Sequence, residues 1–418
     1  MAKPNPFKHL RSTDLRGLAK LATQATVGVS KIAEGVTQSV WSTLGAPSGK
    51  AKDQTRETSR GITGLVYKSI QGVAQLVGKG TESLLTSLQP LLDKIDQEPQ
   101  ESTPREAVLA ALNGVMGDRL VESDNPLATP MTLRFQNQAL DWEAMPDTAL
   151  LTGKVLIVVH GLCMNDLQWT VQNQGESLNH AETLAVKLGY TPVYVRYNTG
   201  LHTSQNGQTL SNQLELLSAL WPVPLTEISV LVHSMGSLVT RSAVHSAQNS
   251  RRQWVKKLKN IVFLGTPHHG APLEKAGNWI DVLLGVTPFS APFKKLAELR
   301  SAGITDLRFG NVLDSDWQDQ DRFKPKTKHE QVHREHLPLP DGVACFTVAA
   351  TLAAKRSLLA DKLIGDGLVP LNSALGVHND PKCSLTFAKS SQMVVYRTNH
   401  MALLGSAEVV EQLVGWLS

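Results

Sequence analysis

Two patterns of apolar residues divide the chain. Beyond residue 130, short apolar runs typical of buried strands alternate with stretches in which apolar residues recur every three or four positions, as on helices. Before these runs, 132–135 and 139–142 predict an antiparallel hairpin. Because strands and helices alternate, we expect an α/β fold with a mostly parallel sheet and helices on both faces. The predicted strands lie at 154–159, 191–197, 228–232, 260–265, 343–349 and 392–397, and the predicted helices at 183–188, 209–220, 237–247 and 407–417.

The N-terminal part of the chain has a helical period instead. Apolar side chains recur at helical spacing within 12–45 and, more clearly, within 61–96, with a linker rich in Gly, Pro and Ser between them. A third helical stretch, 105–116, leads into the alternating region. We therefore expect an amphipathic helical region at 1–100 and an α/β domain at 101–418.

The N-terminal region carries the basic excess of the protein. Through residue 60 it has ten Lys and Arg against four Asp and Glu, a balance of +6, whereas the whole chain has 41 against 37, a balance of +4. Basic amphipathic helices favour attachment to an anionic membrane or a lipid-body surface through residues 1–96. The alternative is a helical hairpin that packs on the rest of the chain or on a second copy, and the sequence leaves both open. Aromatic residues are not interleaved with the basic ones, so we expect no nucleic-acid partner.

A serine lies where a predicted strand turns into a predicted helix. In Val230–Leu238, Ser234 follows an apolar run and is flanked by His233 and Gly236. A hydroxyl projected above a sheet on such an elbow needs small neighbours, because the strand and the helix approach closely. Gly236 meets that need, although Val232 replaces the first Gly of the usual G-x-S-x-G pattern. The pattern predicts a serine nucleophile, and the alternative is a buried strand-turn-helix that contains a serine.

The apolar run 154–159 ends in His160-Gly161-Leu162, where the backbone must bend. An amide exposed at this bend, that of Leu162, together with the amide of Met235, would form an oxyanion hole. The alternative is an ordinary turn that ends a strand.

An acid and a base follow in the order expected of such a site. Asp366 lies between Gly365 and Gly367, which allow a tight loop with the carboxylate pointing inward, and His400 follows the predicted strand 392–397. We predict that His400 takes the proton of Ser234 and that Asp366 orients the imidazole. The alternatives are a solvated turn for Asp366 and a surface position for His400.

These segments together resemble the α/β-hydrolase superfamily, of the bacterial lipase and esterase type and similar to the GPI inositol-deacylase-like group. The resemblance implies an α/β-hydrolase fold and the hydrolysis of an ester or thioester through an acyl-serine intermediate, without a cofactor. It covers residues 150–418. The stretch Gly265–Gly270 is typical of lipases that accept long acyl chains. The matching segments are Val159–Leu162, His233–Ser237, Phe263–Pro272, Gly365–Pro370 and Asn399–His400.

The alternation is interrupted at about 270–341, where we expect a cap. Apolar side chains in this insertion would cover an acyl chain and exclude water, namely Trp279, Leu283, Leu284 and Phe293. The alternative is a surface excursion that packs on the sheet. Within it, His329–His333 formally matches the zinc pattern H-E-x-x-H, but the surrounding residues are charged with little apolar periodicity, so we expect no metal site.

Cysteine content and targeting signals indicate the compartment. The three cysteines, Cys163, Cys345 and Cys383, are odd in number and far apart, which favours a reducing compartment. The first residues lack the apolar core of a signal peptide, and no run is long enough to span a bilayer. We expect a cytoplasmic protein, peripheral to a membrane if the N-terminal helices attach to one.

The sequence thus predicts a serine hydrolase that cleaves carboxylic esters of lipid-like substrates. One alternative is an acyltransferase that uses the same three residues, with an alcohol instead of water as acceptor. Another is a non-enzymatic protein that binds a lipid surface, which Val232 favours. A peptidase is a weaker alternative, because the fold alone does not determine which bond is cleaved.

Overall fold

The computed structural model describes residues 103–173, 176–272, 300–319, 336–354 and 365–418, together with residues 11, 13, 14, 16, 17, 20 and 283. Most of the two predicted N-terminal helices lies outside these residues. So do three of the four predicted cap side chains, Trp279, Leu284 and Phe293, and the segment His329–His333.

An eight-stranded sheet forms the centre of the α/β domain. Its strand order is β2-β1-β6-β3-β7-β8-β9-β10. The pairings from β6 to β10 are parallel, whereas β1 runs antiparallel to both β6 and β2. The strands β4 and β5 form a separate hairpin. The strands are β1 Thr132–Phe135, β2 Gln138–Ala139, β3 Lys154–Val159, β4 Val171–Asn173, β5 Glu176–Leu178, β6 Thr191–Arg196, β7 Glu227–His233, β8 Leu258–Leu264, β9 Ala344–Thr351 and β10 Gln392–Tyr396.

Helices cover both faces of the sheet. In β3, Ile157 packs in one apolar cluster with helices α3 and α4, and its neighbour Val158 packs in another with α2 and α7. Alternate residues of a strand point to opposite faces, so this split follows from the backbone. The prediction of a mostly parallel sheet with helices on both faces is confirmed. The helices are α1 Thr103–Glu122, α2 His180–Leu188, α3 Thr203–Leu220, α4 Met235–Asn249, α5 Ala302–Phe309, α6 Leu371–Ala374 and α7 Ala407–Leu417.

Local sequence signals set the ends of these helices. The Asn179 side chain accepts hydrogen bonds from the amides of Ala181 and Glu182 at the start of α2, and Gly189 ends that helix with φ 72°. Ser406 caps α7 in the same way, through the amide of Val409. Among the described helices, none is both long and apolar enough to cross a bilayer.

The N-terminal hairpin is shorter than predicted. The second strand ends at Ala139 instead of continuing to Trp142. The reason is a turn in which the Asp141 carboxylate accepts a hydrogen bond from the amide of Glu143, at 2.9 Å. An Asp side chain that satisfies a nearby backbone amide competes with the strand ladder.

A third apolar cluster lies at the carboxyl ends of the strands. It joins α1 and α5 to the segments that follow β3 and β7, and α1 is kinked at Met116 (φ −147°, ψ 20°). Helix α1 therefore packs against the edge of the sheet where the predicted catalytic residues lie.

Candidate active site

Ser234 lies on a strained elbow between β7 and α4. Its backbone angles are φ 53° and ψ −121°, a conformation that residues other than Gly rarely adopt. The amide of Ser234 donates to the carbonyl of Leu264 on β8, at 2.9 Å. A Cβ added at Gly236 would lie 2.6 Å from the carbonyl oxygen of His160, so α4 and the end of β3 need a glycine there. The elbow predicted from the sequence is present.

Val232 is accommodated without strain. It is a regular residue of β7, aligned between Val159 and Phe263 of the neighbouring strands, and its side chain is fully buried. The positive φ is confined to Ser234. The elbow therefore does not require the missing glycine at this position.

Asp366 and His400 form a buried pair at the carboxyl end of β10. The Nδ1 of His400 lies 2.7 Å from Oδ2 of Asp366, and the amide of His400 donates to the Asp366 carbonyl at 3.0 Å. The other carboxylate oxygen accepts from the amides of Leu368 and Val369, at 2.9 and 2.8 Å. These bonds hold the carboxylate in one orientation.

The two glycines beside Asp366 have the role predicted for them. Gly365 has φ 47° and Gly367 has φ 96°, both in the region that favours glycine. A Cβ at Gly365 would lie 2.0 Å from the carbonyl oxygen of Val369. The tight loop that turns the carboxylate inward therefore depends on glycine.

The remaining ring nitrogen of His400 is available for a proton. Because a carboxylate accepts, Nδ1 carries the hydrogen and Nε2 of the neutral ring carries a lone pair. This Nε2 is buried and has no hydrogen-bond partner among the described residues, so the bond from the Ser234 hydroxyl is not formed in this structure. Such bonds are often long until substrate binds.

Neighbouring residues bring His400 close to Ser234. The ring of His233, which directly precedes Ser234, lies 4.6 Å from the ring of His400, and its Nε2 donates to the His400 carbonyl at 3.3 Å. On the other side, a Cβ at Gly265 would lie 3.2 Å from Nδ1 of His400. Gly265 directly follows Leu264, the residue bonded to the Ser234 amide. The structure therefore brings the predicted nucleophile, base and acid together.

The predicted oxyanion donors lie beside the nucleophile. A Cβ at Gly161 would be 3.0 Å from the Cβ of Ser234, so the backbone that leads into Leu162 passes directly over the serine. Within the described part of the chain the Leu162 amide has no hydrogen-bond acceptor. Met235 is the first residue of α4, and the first amides of a helix have no acceptor inside it. Among the described residues, neither amide is thus shown with an acceptor that would compete with a negatively charged oxygen.

The segment 161–166, which we name the oxyanion loop, is held by side chains from other elements. Cys163 has φ 59°, and its amide donates to Oγ1 of Thr199 at 3.1 Å. Burial raises the pKa of the Cys163 thiol to about 12, which favours the interpretation of this residue as a small buried side chain over a reactive one. The Thr199 hydroxyl thus fixes the residue directly after Leu162.

Two further histidines near the site are neutral. Burial lowers the pKa of His233 well below its usual value, and the nearby His400 lowers it further. Burial also lowers the pKa of His160 to about 4, and its ring stacks on Tyr197 with centroids 4.4 Å apart. A neutral His233 adds no positive charge beside the imidazolium that His400 would form during a reaction.

Apolar side chains surround the two oxyanion donors. Leu162 and Met235 are fully buried in the third cluster. Of the predicted cap side chains, Leu283 is described, and it is buried in the same cluster with Ile304 and Leu307. The region predicted as a cap therefore contributes side chains next to the site.

Several residues of the site had no distinct signal in the sequence. His233 and Gly265 lie within recognisable motifs, but their contacts with His400 are not implied by spacing. Thr199 follows the predicted strand 191–197, and its position after a strand on the same edge of the sheet was the one available signal.

A match to a known family covers part of this site. Residues 150–338 match the model of the PGAP1-like alpha/beta domain family. The predicted family resemblance is thereby confirmed. The strand order and the helices on both faces give the mostly parallel α/β architecture expected of an α/β-hydrolase fold. The matched segment is less than half of the chain; it includes Leu162 and Ser234 and ends before Asp366 and His400.

Solved structures with similarity to the chain include lipases and esterases. The mature form of Bacillus licheniformis lipase BlEst2 is 17% identical with a TM-score of 0.41, covering 69% of this chain and 99% of its own. A Pyrobaculum calidifontis esterase is 12% identical with a TM-score of 0.35, covering 63% and 76%. Phospholipase PlaB from Legionella pneumophila is 15% identical with a TM-score of 0.31, covering 53% and 45%. No curated protein matches the sequence.

Proposed function

We propose that the protein is a serine hydrolase that cleaves carboxylic esters of lipid-like substrates through an acyl-serine intermediate. The observation that carries the proposal is the strained elbow at Ser234 beside a buried Asp366–His400 pair whose Nε2 has no partner. A nucleophile, a base and an orienting acid on the carboxyl edge of one sheet are the groups that this reaction needs.

The first half of the reaction forms the acyl-enzyme. The hydroxyl oxygen of Ser234 attacks the ester carbonyl carbon while Nε2 of His400 takes the hydroxyl proton. The carbonyl oxygen becomes negative and accepts hydrogen bonds from the amides of Leu162 and Met235, each worth about 2.7 to 4 kcal/mol in the transition state. When the tetrahedral intermediate collapses, the alcohol leaves with the proton returned by His400.

The second half releases the acid. A water molecule gives its proton to Nε2 of His400 and attacks the acyl carbon, and the Ser234 oxygen leaves with that proton. Throughout, Asp366 keeps the hydrogen on Nδ1 and stabilises the imidazolium. These steps use side chains, backbone amides and water.

An apolar acyl group suits the surroundings of the donors. The third cluster packs around Leu162 and Met235, and Leu283 of the predicted cap region belongs to it. Water is excluded from such surroundings, which strengthens the hydrogen bonds to the oxyanion. We also propose that the chain consists of two parts, an N-terminal region at 1–100 and a hydrolase domain at 101–418 that includes a cap at about 270–341.

Turnover of p-nitrophenyl butyrate, octanoate and palmitate tests the proposal. We expect hydrolysis of at least one ester and a loss of about 10⁴-fold or more in Ser234→Ala. Ser246→Ala is the matched control, since Ser246 lies on the same helix three turns away and is partly exposed. Wild-type rates in folded Ser234→Ala would contradict the proposal.

Adding an alcohol to the same assay separates hydrolysis from acyl transfer. If an acceptor alcohol takes most of the acyl group at low concentration, the protein is an acyltransferase. If the folded protein neither turns over esters nor forms an acyl-enzyme, the non-enzymatic lipid-binding alternative is favoured instead. Val232 gives that alternative little support, because the elbow forms with the valine in place.

A further inference from the structure

A continuous chain of buried charges runs from the oxyanion loop to residue 14. It alternates three carboxylates with three guanidinium groups, and each side chain is at most 8% exposed. We call this set the charge chain. Its members, in order of contact, are Asp14, Arg105, Glu106, Arg196, Asp166 and Arg134.

At one end, the charge chain binds the oxyanion loop through Asp166. Asp166 accepts from Nε of Arg134 at 3.0 Å and from Nε of Arg196 at 2.5 Å. Both arginines lie on strands, β1 and β6, so their backbones are fixed by the sheet. Asp166 lies four residues after Leu162, and a turn bond from the Met164 amide to the Gly161 carbonyl, at 3.3 Å, closes the intervening loop. A shift of Asp166 would therefore reach the Leu162 amide through few flexible bonds.

In the middle, the charge chain passes through α1. Arg196 Nη1 donates to Glu106 at 2.8 Å, and Glu106 pairs with its neighbour Arg105. The same helix touches the oxyanion loop directly, because a Cβ at Gly114 would lie 2.3 Å from Sγ of Cys163. Helix α1 therefore contacts the loop by packing and through ions.

At the far end, the charge chain reaches the N-terminal region. Arg105 donates to Asp14 through two nitrogens, Nε at 2.7 Å and Nη2 at 2.6 Å. Burial acts to lower the pKa of Arg105, but the hydrogen bonds and charges of Asp14 and Glu106 outweigh it and raise this pKa. Nearby, the Gly17 carbonyl accepts from Nδ2 of Asn125 at 3.1 Å. The described residues of the N-terminal region thus dock on α1 and the segment that follows it.

Removing one member would disturb the others. A buried charge is tolerated when it is paired, and loss of one partner leaves the other uncompensated. Without the Asp14 carboxylate, Arg105 would draw more strongly on Glu106, and Glu106 would then hold Arg196 less well. Arg196 would then bind Asp166 more strongly and shift the Asp166 carboxylate from its position between the two arginines.

We propose that Asp14 is a positioning residue for the oxyanion loop, acting through the charge chain. The N-terminal region then helps to position the oxyanion loop of the α/β domain, in addition to any role at a lipid surface. The catalytic consequence rests on the proposed function, because only an oxyanion hole makes the position of the Leu162 amide matter for turnover.

Hydrogen exchange of the purified full-length chain tests this without relying on activity. In Asp14→Asn we expect about tenfold faster exchange in a peptide spanning 160–168, with a peptide spanning β10 unchanged. Asp341→Asn, an exposed carboxylate outside the charge chain, is the matched control. Asp14→Glu keeps the charge and moves the carboxylate by one methylene; as a milder variant it should show about threefold faster loop exchange.

The double variant Asp14→Asn with Arg105→Met removes one positive and one negative charge together. The remaining four members stay balanced, so we expect loop exchange closer to the wild-type rate than in Asp14→Asn alone. Unchanged loop exchange in Asp14→Asn and in Asp14→Glu would overturn the proposal. Uniformly faster exchange across the domain, β10 included, would overturn it as well, since that indicates a purely structural role.

Kinetics separate this inference from the proposed function. The concentration of active sites is first measured by labelling Ser234 with a fluorophosphonate probe. We expect kcat per active site to fall about tenfold in Asp14→Asn, with KM within about twofold, because a misplaced hydrogen-bond donor weakens binding of the transition state. A selective change in loop exchange in a protein that hydrolyses no ester would support the positioning role and contradict the proposed function. Ester turnover with a kcat that is unchanged in Asp14→Asn would support the proposed function and contradict the positioning role.

Discussion

The acid–base pair and the oxyanion loop are held in different ways. Asp366 is fixed by amides two and three residues further along the chain and by its own neighbouring glycines. The oxyanion loop is fixed by Thr199, by Gly114 of α1 and by ion pairs that extend to Asp14. The acid is therefore held by its immediate neighbours in the chain, whereas the oxyanion loop depends on elements distant in sequence.

Substitutions in the two parts of the site should therefore act differently. A change in the acid–base pair removes a chemical group, so its effect on rate should be large and independent of the surroundings. A change around the oxyanion loop leaves the donors present and alters their position. Its effect should be smaller and should appear in kcat.

The largest effect is expected from Asp366→Asn. The amide would no longer hold the hydrogen on Nδ1 of His400 or stabilise the imidazolium, and kcat should fall about 10⁴-fold. Steady-state kinetics on a p-nitrophenyl ester measures it, with the exposed Asp380→Asn as control. A fall of less than tenfold would mean that the carboxylate is not the orienting acid.

The next largest effect is expected on stability, from Val232→Gly, which restores the first glycine of the G-x-S-x-G pattern. Since Val232 is fully buried in a regular strand, its loss should cost about 3 kcal/mol of unfolding free energy. The kcat of the folded fraction should stay within about twofold, because the strain is confined to Ser234. Urea unfolding and kinetics together test this, and a large gain in kcat would contradict it.

Thr199→Val changes a residue that holds the oxyanion loop. The valine has nearly the same shape but cannot accept the Cys163 amide, so the loop loses one fixed point. We expect kcat to fall about 10- to 30-fold with KM nearly unchanged, which is less than the loss of a whole donor. Thr199→Ser keeps the acceptor and is the control; equal losses in both variants would argue against the hydrogen bond.

The last effect concerns the pH dependence of stability and His180, which anchors the segment after His400. Its Nε2 donates to the Leu403 carbonyl at 2.8 Å, and burial lowers the pKa of His180 to about 4. Between pH of about 6.5 and 4 the unfolded chain binds a proton that the folded chain does not, so stability falls as pH drops, by up to about 1.4 kcal/mol per unit.

His180→Gln retains a donor and cannot titrate. Its unfolding free energy should therefore depend less steeply on pH than that of the wild type in this window. Urea unfolding at pH 7 and pH 5 compares the two. Equal slopes would show that His180 does not titrate differently in the folded and unfolded chains.

The same contrast explains what the sequence could predict. Ser234, Asp366 and His400 come after predicted strands, and glycines lie on both sides of Asp366 and two residues after Ser234. Local patterns therefore pointed to these residues, and the parallel sheet brings their strand ends to one edge. Thr199 also follows a predicted strand, but nothing in the sequence links its hydroxyl to the Cys163 amide, and the charge chain has no local pattern. Their contacts depend on how α1 packs across the sheet, and pairs such as Arg105 and Asp14 are 91 residues apart.

The hairpin gives a smaller example of the same limit. Alternating apolar residues predicted a strand through Trp142, but the Asp141 side chain ends it by capping the Glu143 amide. A side chain that competes for a backbone amide can outweigh the periodic pattern.

Whether Ser234 is the nucleophile can be measured by labelling the full-length chain with a fluorophosphonate probe, followed by mass spectrometry of the modified peptide. Only an activated serine reacts readily with such a probe. We predict one adduct, on Ser234, that is lost in Ser234→Ala and retained in Ser246→Ala. A folded wild-type protein that stays unlabelled, or an adduct on another serine, would contradict the account.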